Sequence, residues 1–132
     1  MTRRAFVEIL ERAGGHPQRA LLGGTLSPGT DHLEVVLHVS EDLPIGAVAA
    51  YPGAFRHELV PGLPEEFIAR IPTALATRLA RPGVITIDRA AYDEVESSVY
   101  GFSLAADLLG LVLNYESIPE AEGAIRQRLT EW

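Results

Sequence analysis

The chain has 132 residues, of which 47% are hydrophobic and 22% charged, with a formal net charge of −7 and no cysteine. This composition suits one globular domain with its own core, and it excludes a disulfide framework, a thiolate nucleophile and a cysteine metal site. No apolar run approaches the roughly 20 residues that span a bilayer. The N-terminal MTRRAFVEIL shows no small-residue cleavage site, so a cytoplasmic protein without membrane contact is expected.

Residues 4–12 fit a strand or a short helix, and periodicity does not choose between them. The stretch from Gly14 to Thr30 is rich in Gly and Pro and reads as a loop, or as a hairpin with a short strand near Ala20-Leu21-Leu22. Residues 33–39, LEVVLHV, are β-branched and partly alternating between turn residues, which is a strand signal. Residues 54–60 make a weaker strand.

The segment Pro61-Gly62-Leu63-Pro64-Glu65-Glu66 opens a helix, with a proline at its start and acids in its first turn. Phe67, Ile68, Ile71, Leu75 and Leu79 form its apolar face, and Pro72 predicts a kink or a restart. Val84-Ile85-Thr86-Ile87 reads as another strand. A helix is expected from about Ser98 to Leu113, because Val99, Phe102, Ala106, Leu109 and Leu113 share one face. Ser97 or Ser98 is its N-cap. Ser117-Ile118-Pro119-Glu120 is a capping box for a last helix, with Ile118, Ala121, Ile125, Leu129 and Trp132 on one side.

Few residues point to chemistry. Asp93, Glu94 and Glu96 precede the Ser-Ser pair, where acids suit the positive end of a helix dipole better than an acid–base or metal site. His16, His32, His38 and His57 lack any compact metal-ligand spacing, and Ser97 and Ser98 lack a nucleophile-elbow context. Gly101, Ala105 and Ala106 make a small-residue face suited to close packing of that helix on a sheet. All eleven basic residues are arginine and are scattered along the chain. Nucleic-acid affinity needs a basic face, so DNA binding is not expected of so acidic a protein.

Two segments resemble domain IV of the translational GTPase elongation factor G. Leu63-Pro64-Glu65-Glu66-Phe67-Ile68-Ala69-Arg70-Ile71 resembles that family's VPKEYIPAV helix start, and Tyr92-Asp93-Glu94-Val95-Glu96-Ser97-Ser98-Val99-Tyr100-Gly101-Phe102-Ser103-Leu104-Ala105-Ala106 resembles its YHEVDSSEMAFKIAA. Both align without a gap and in the family's order. The residues that carry the motif are Pro64, Glu66, Phe67, Ile68, Tyr92, Val95, Glu96, Ser97, Ser98 and Phe102. The resemblance implies a single α+β domain, a two-layer sandwich with helices on one face of a mostly antiparallel sheet. It also implies a βαβ unit with a left-handed crossover, against the general right-handed rule.

In the parent factor this domain enters the decoding region of the ribosome, while a separate domain hydrolyses GTP. Here no GxxxxGK[ST] phosphate loop occurs, so GTP hydrolysis is excluded. The span from Leu79 to Tyr92 is shorter than in the family, which removes much of a fingertip loop. Asp88 aligns with a histidine at that tip, and Asp93 with the histidine after the tyrosine. Two carboxylates at a surface meant to approach phosphates are unfavourable there.

The expectation is therefore a non-catalytic binding protein without cofactor or metal, whose partner class is the ribosome or another translation component. Arg19, Arg78, Arg81 and Arg89, with Asp88, are the candidate contacts to RNA or a partner. The alternative is a protein–protein interaction or oligomerisation module that keeps the fold without RNA binding. A small hydrolase or metal enzyme is a third reading, and needs His38 or His57 beside the Asp93–Glu96 carboxylates.

Overall fold

A computed structural model describes residues 2–13, 16–29, 32–37, 39, 60–80, 82–94 and 97–131, with the backbone alone for 10–13, 16–18 and 118. Among the described residues, five strands and three α-helices form a layer of helices on a mostly antiparallel sheet. The strands are β1 (Arg3–Ala13), β2 (His16–Ser27), β3 (Leu33–Leu37), β4 (Val60–Pro61) and β5 (Gly83–Tyr92). The helices are α1 (Ile71–Arg78), α2 (Val99–Val112) and α3 (Ile118–Thr130).

β1 and β2 form a long antiparallel hairpin, β2 pairs antiparallel with β5, and β3 runs parallel to β5. The two-residue β4 pairs with Tyr92 and Ala91 at the far end of β5. A parallel neighbour needs a crossover connection, and here it contains α1. Strand alternation sends Val7, Ile9, Ala20, Leu22, Leu26, Ile85, Ile87 and Ala90 into one core with Ile71, Leu75, Phe102, Leu109 and Val112 of the helices.

Of the two readings of 14–30, β2 bears out the hairpin, but its strand is far longer than the short one expected near Ala20-Leu21-Leu22. Pro17, Gly23 and Gly24 disguise twelve residues of strand, because pairing on both sides outweighs poor local propensity. The register of β2 on β5 shifts between Gly23 and Gly24, where Gly23 faces Arg89 and Gly24 faces Ile87. Asp88 is the extra residue of that bulge. β5 also extends well past Ile87, to Tyr92. The strand expected over 54–60 lies outside the described residues apart from Val60.

Pro72 marks a restart. Glu65–Phe67 is a short 3-10 turn, and α1 begins at Ile71 with the proline in its first turn, where the amide it lacks has no helical partner anyway. α2 is buried on most of its circumference and packs on α1, α3, β1 and β2. Gly110 permits this closeness, since a Cβ there would lie 2.9 Å from the Leu75 carbonyl oxygen of α1. Among the described residues, no helix is long and apolar enough to cross a membrane.

Candidate functional site

The two sequence blocks of the resemblance meet in space. Phe67 stacks on Phe102 with ring centroids 5.3 Å apart, and Tyr92 tilts against Phe67 at 6.1 Å. Phe102 is fully buried, so the cluster joins the 3-10 turn, the end of β5 and α2 into the core. Pro64 occupies the cap position of the 3-10 turn, Glu66 is exposed and Ile68 is half-buried. Val95 and Glu96 lie outside the described residues.

The adjacent serines divide two tasks. The Ser98 hydroxyl accepts from the Gly101 amide at 3.0 Å and caps α2. The Ser97 hydroxyl accepts from the Asp93 amide at 2.8 Å and donates to the Arg19 carbonyl, tying the approach to α2 onto β2. Ser117 caps α3 by accepting from the Glu120 amide at 3.4 Å.

The outer face of the sheet, away from the helices, carries the charges. Arg19 is 1% exposed and lies 3.7 Å from both Glu8 and Asp93. Its expected role as a surface contact is corrected, because cross-strand neighbours that no local pattern reveals enclose it. Asp93 is fully buried as well, so it is not one of a solvated group of acids, whereas Glu94 is exposed. Burial pushes the Glu8 carboxyl above the ordinary carboxylate range, and the Arg19 guanidinium draws it only part of the way back. Leu21 and Ala91 are fully buried on this same half of the face.

Towards the other end, Arg4 reaches Asp88 at 3.5 Å, and the Thr25 hydroxyl donates to the same carboxylate oxygen at 3.5 Å. Asp88 thus sits inside β5 and not at a strand tip as the alignment suggests, because the bulge turns it toward Arg4. Next to this pair, the Arg89 guanidinium carbon lies 5.8 Å from the centroid of the Phe6 ring. Sequence reasoning missed Phe6. The alternation of Arg4, Phe6 and Glu8 against Ala5, Val7 and Ile9 carries the signal once residues 4–12 are taken as a strand.

Arg78 belongs to the helical layer. Its Nε lies 3.2 Å from Asp107, which also receives a two-pronged contact from Arg128 at 3.0 and 2.6 Å. Those hydrogen bonds to Asp107 hold the Arg128 pKa above its ordinary value. Asp107 on α2 therefore clamps α1 and α3, a role its sequence context did not reveal. Arg81 lies outside the described residues. The candidate contacts are thus not one patch: Asp88 and Arg89 are neighbours on the outer face, Arg19 is enclosed farther along it, and Arg78 is on the opposite layer.

Among the described residues, no group of three His, Asp or Glu side chains is arranged to hold a metal. His38 and His57 lie outside them. A cavity of about 390 Å³ opens between the start of β1 and the α2–α3 connection, lined by residues including Arg3, Val112, Tyr115 and Ser117. Arg3 there donates to the Leu113 carbonyl at 3.2 Å and lies 3.8 Å from Glu116, so its charge is already engaged.

No family model matches the chain, and no curated protein matches it. Among solved structures it is similar to the crystal structure of ttk003000868 from Thermus thermophilus, with 18% identity and a TM-score of 0.56. The match covers 81% of this chain and 14% of that one, so the chain corresponds to a small part of a much longer protein. At this identity the likeness is one of fold: an α+β sandwich with a mostly antiparallel sheet.

Proposed function

We propose that the chain is a non-catalytic binding domain of the elongation factor G domain IV type, and that it works by contact with a protein and not with RNA. The observation that carries this reading is the state of the arginines. Arg3, Arg4, Arg19, Arg78, Arg126 and Arg128 each lie beside a carboxylate of the same chain. Phosphate binding draws on cations free to replace counterions along a strand. Arginines committed to internal acids, in a chain of net charge −7, supply little of that.

The absence of catalysis is supported by the same kind of commitment. Ser97 and Ser98 serve backbone groups, and Asp93 faces Arg19. A second reading, contact with ribosomal RNA, is favoured by the two collinear sequence blocks and their meeting at Phe67, Tyr92 and Phe102.

Sedimentation of the purified chain with purified ribosomes, at low and at physiological salt, separates the two. The protein-binding reading expects no pelleting that salt releases. A chain that pellets at low salt and comes off steeply as salt rises has phosphate contacts, and that result overturns the proposal.

A further inference from the structure

On the outer face of the sheet, Arg89 stands apart from the paired Arg4 and Arg19. Among the described residues Arg89 has no carboxylate partner, and its Nε is buried without an acceptor. Its contact is with the ring of Phe6, which is 54% exposed. Gly23 lies between them, paired with Phe6 on one side and Arg89 on the other. A Cβ on Gly23 would stand 2.8 Å from the Phe6 Cβ and 3.3 Å from the Arg89 Cβ, so the missing side chain is what lets ring and guanidinium meet. The nearby Asp88 carboxylate meets Arg4 and Thr25 through Oδ2, and its buried Oδ1 makes no hydrogen bond to Arg89.

We propose that the Phe6–Gly23–Arg89 row is the contact point for a protein partner whose extended segment lays an apolar side chain on Phe6 and an Asp or Glu carboxylate on Arg89. This rests on the protein-binding reading above and names the chemistry of that partner. Charge complementarity selects the occupant. An exposed aromatic beside a partly exposed guanidinium that forms no ion pair among the described residues accepts an apolar group and an anion together. Side chains two positions apart on an extended strand point the same way at about 6.6 Å, close to the 5.8 Å between the ring centroid and the guanidinium carbon. A nucleic-acid strand needs further free cations along its path, and the adjacent Arg4 is already paired. A second copy placed face to face would bring two Arg89 charges together.

The test uses the full chain, ¹⁵N-labelled, and a capped Ala-Leu-Ser-Glu-Ala peptide beside its glutamine counterpart. Amide shifts at Phe6, Gly23 and Arg89 are expected with the glutamate peptide, and binding about tenfold weaker with the glutamine one. Arg89→Gln and Phe6→Ala should each weaken the glutamate peptide about tenfold while the spectrum stays dispersed. Equal binding of both peptides, no binding, or binding that Arg89→Gln leaves intact overturns the proposal. In the last case the peptide sits elsewhere and the protein-binding reading stands, whereas salt-released ribosome pelleting removes that reading itself. Oligouridylate shifting the same amides, or a concentration-dependent dimer abolished by Phe6→Ala, also overturns it.

Discussion

The two faces of the sheet hold their residues in different ways. The helix-covered face is apolar and continuous, with Val7, Leu22, Ile85 and Ile87 packed under Phe102 and Leu109. The outer face is a sequence of cross-strand pairs: Arg4 with Asp88, Phe6 with Arg89, and Arg19 between Glu8 and Asp93. Burial of apolar area is non-directional and tolerates repacking, whereas ion pairs depend on each partner being present. One face therefore holds through apolar packing, and the other through ion pairs set beside the buried Leu21 and Ala91.

Phe102→Ala should have the largest effect, costing about 3–5 kcal/mol in urea unfolding, since it removes a fully buried ring that stacks on Phe67. A loss under about 1 kcal/mol would mean that the aromatic cluster is not part of the core. On the outer face, Arg19→Met should cost about 3 kcal/mol, because it leaves the Glu8 and Asp93 carboxylates buried without their cation. An unchanged midpoint would show that the triad is open to water.

The serine pair gives a finer comparison. Ser97→Ala strands the Asp93 amide and the Arg19 carbonyl and should cost about 1–3 kcal/mol. Ser98→Ala removes a helix cap and should cost about 1 kcal/mol. The reverse order would assign the cap to Ser97.

The smallest effect concerns pH. The raised folded-state pKa of Glu8 means that the native protein holds this proton more tightly than the unfolded chain does. Its contribution is then fully present below the ordinary glutamate value, about 4.3, and is lost as pH rises through the raised value. Glu8→Gln should remove that slope, so the stability difference between parent and variant changes steadily with pH across this window. A difference that stays constant would show that Glu8 is solvated.

How much of this was legible in the sequence follows from range. α2, α3 and their capping serines could be read because a helix face and a cap are set within a few residues. The restart at Pro72 was legible for the same reason. Of β2 only the short strand near Ala20-Leu21-Leu22 could be read, and only as one of two alternatives, since its glycines resemble a loop until β1 and β5 are known to flank it. The enclosure of Arg19, the clamp at Asp107 and the Phe6–Arg89 contact all join residues far apart in the chain. Only the register of the sheet and the packing of the helices bring them together.

The claim that the exposed part of the outer face serves contact and not stability has one direct test, urea unfolding of the Phe6→Ala, Arg89→Gln double variant. A stability within about 1 kcal/mol of the parent is expected, as for surface positions. A loss of about 3 kcal/mol or more, matching Phe102→Ala, would contradict it and make this row a second core.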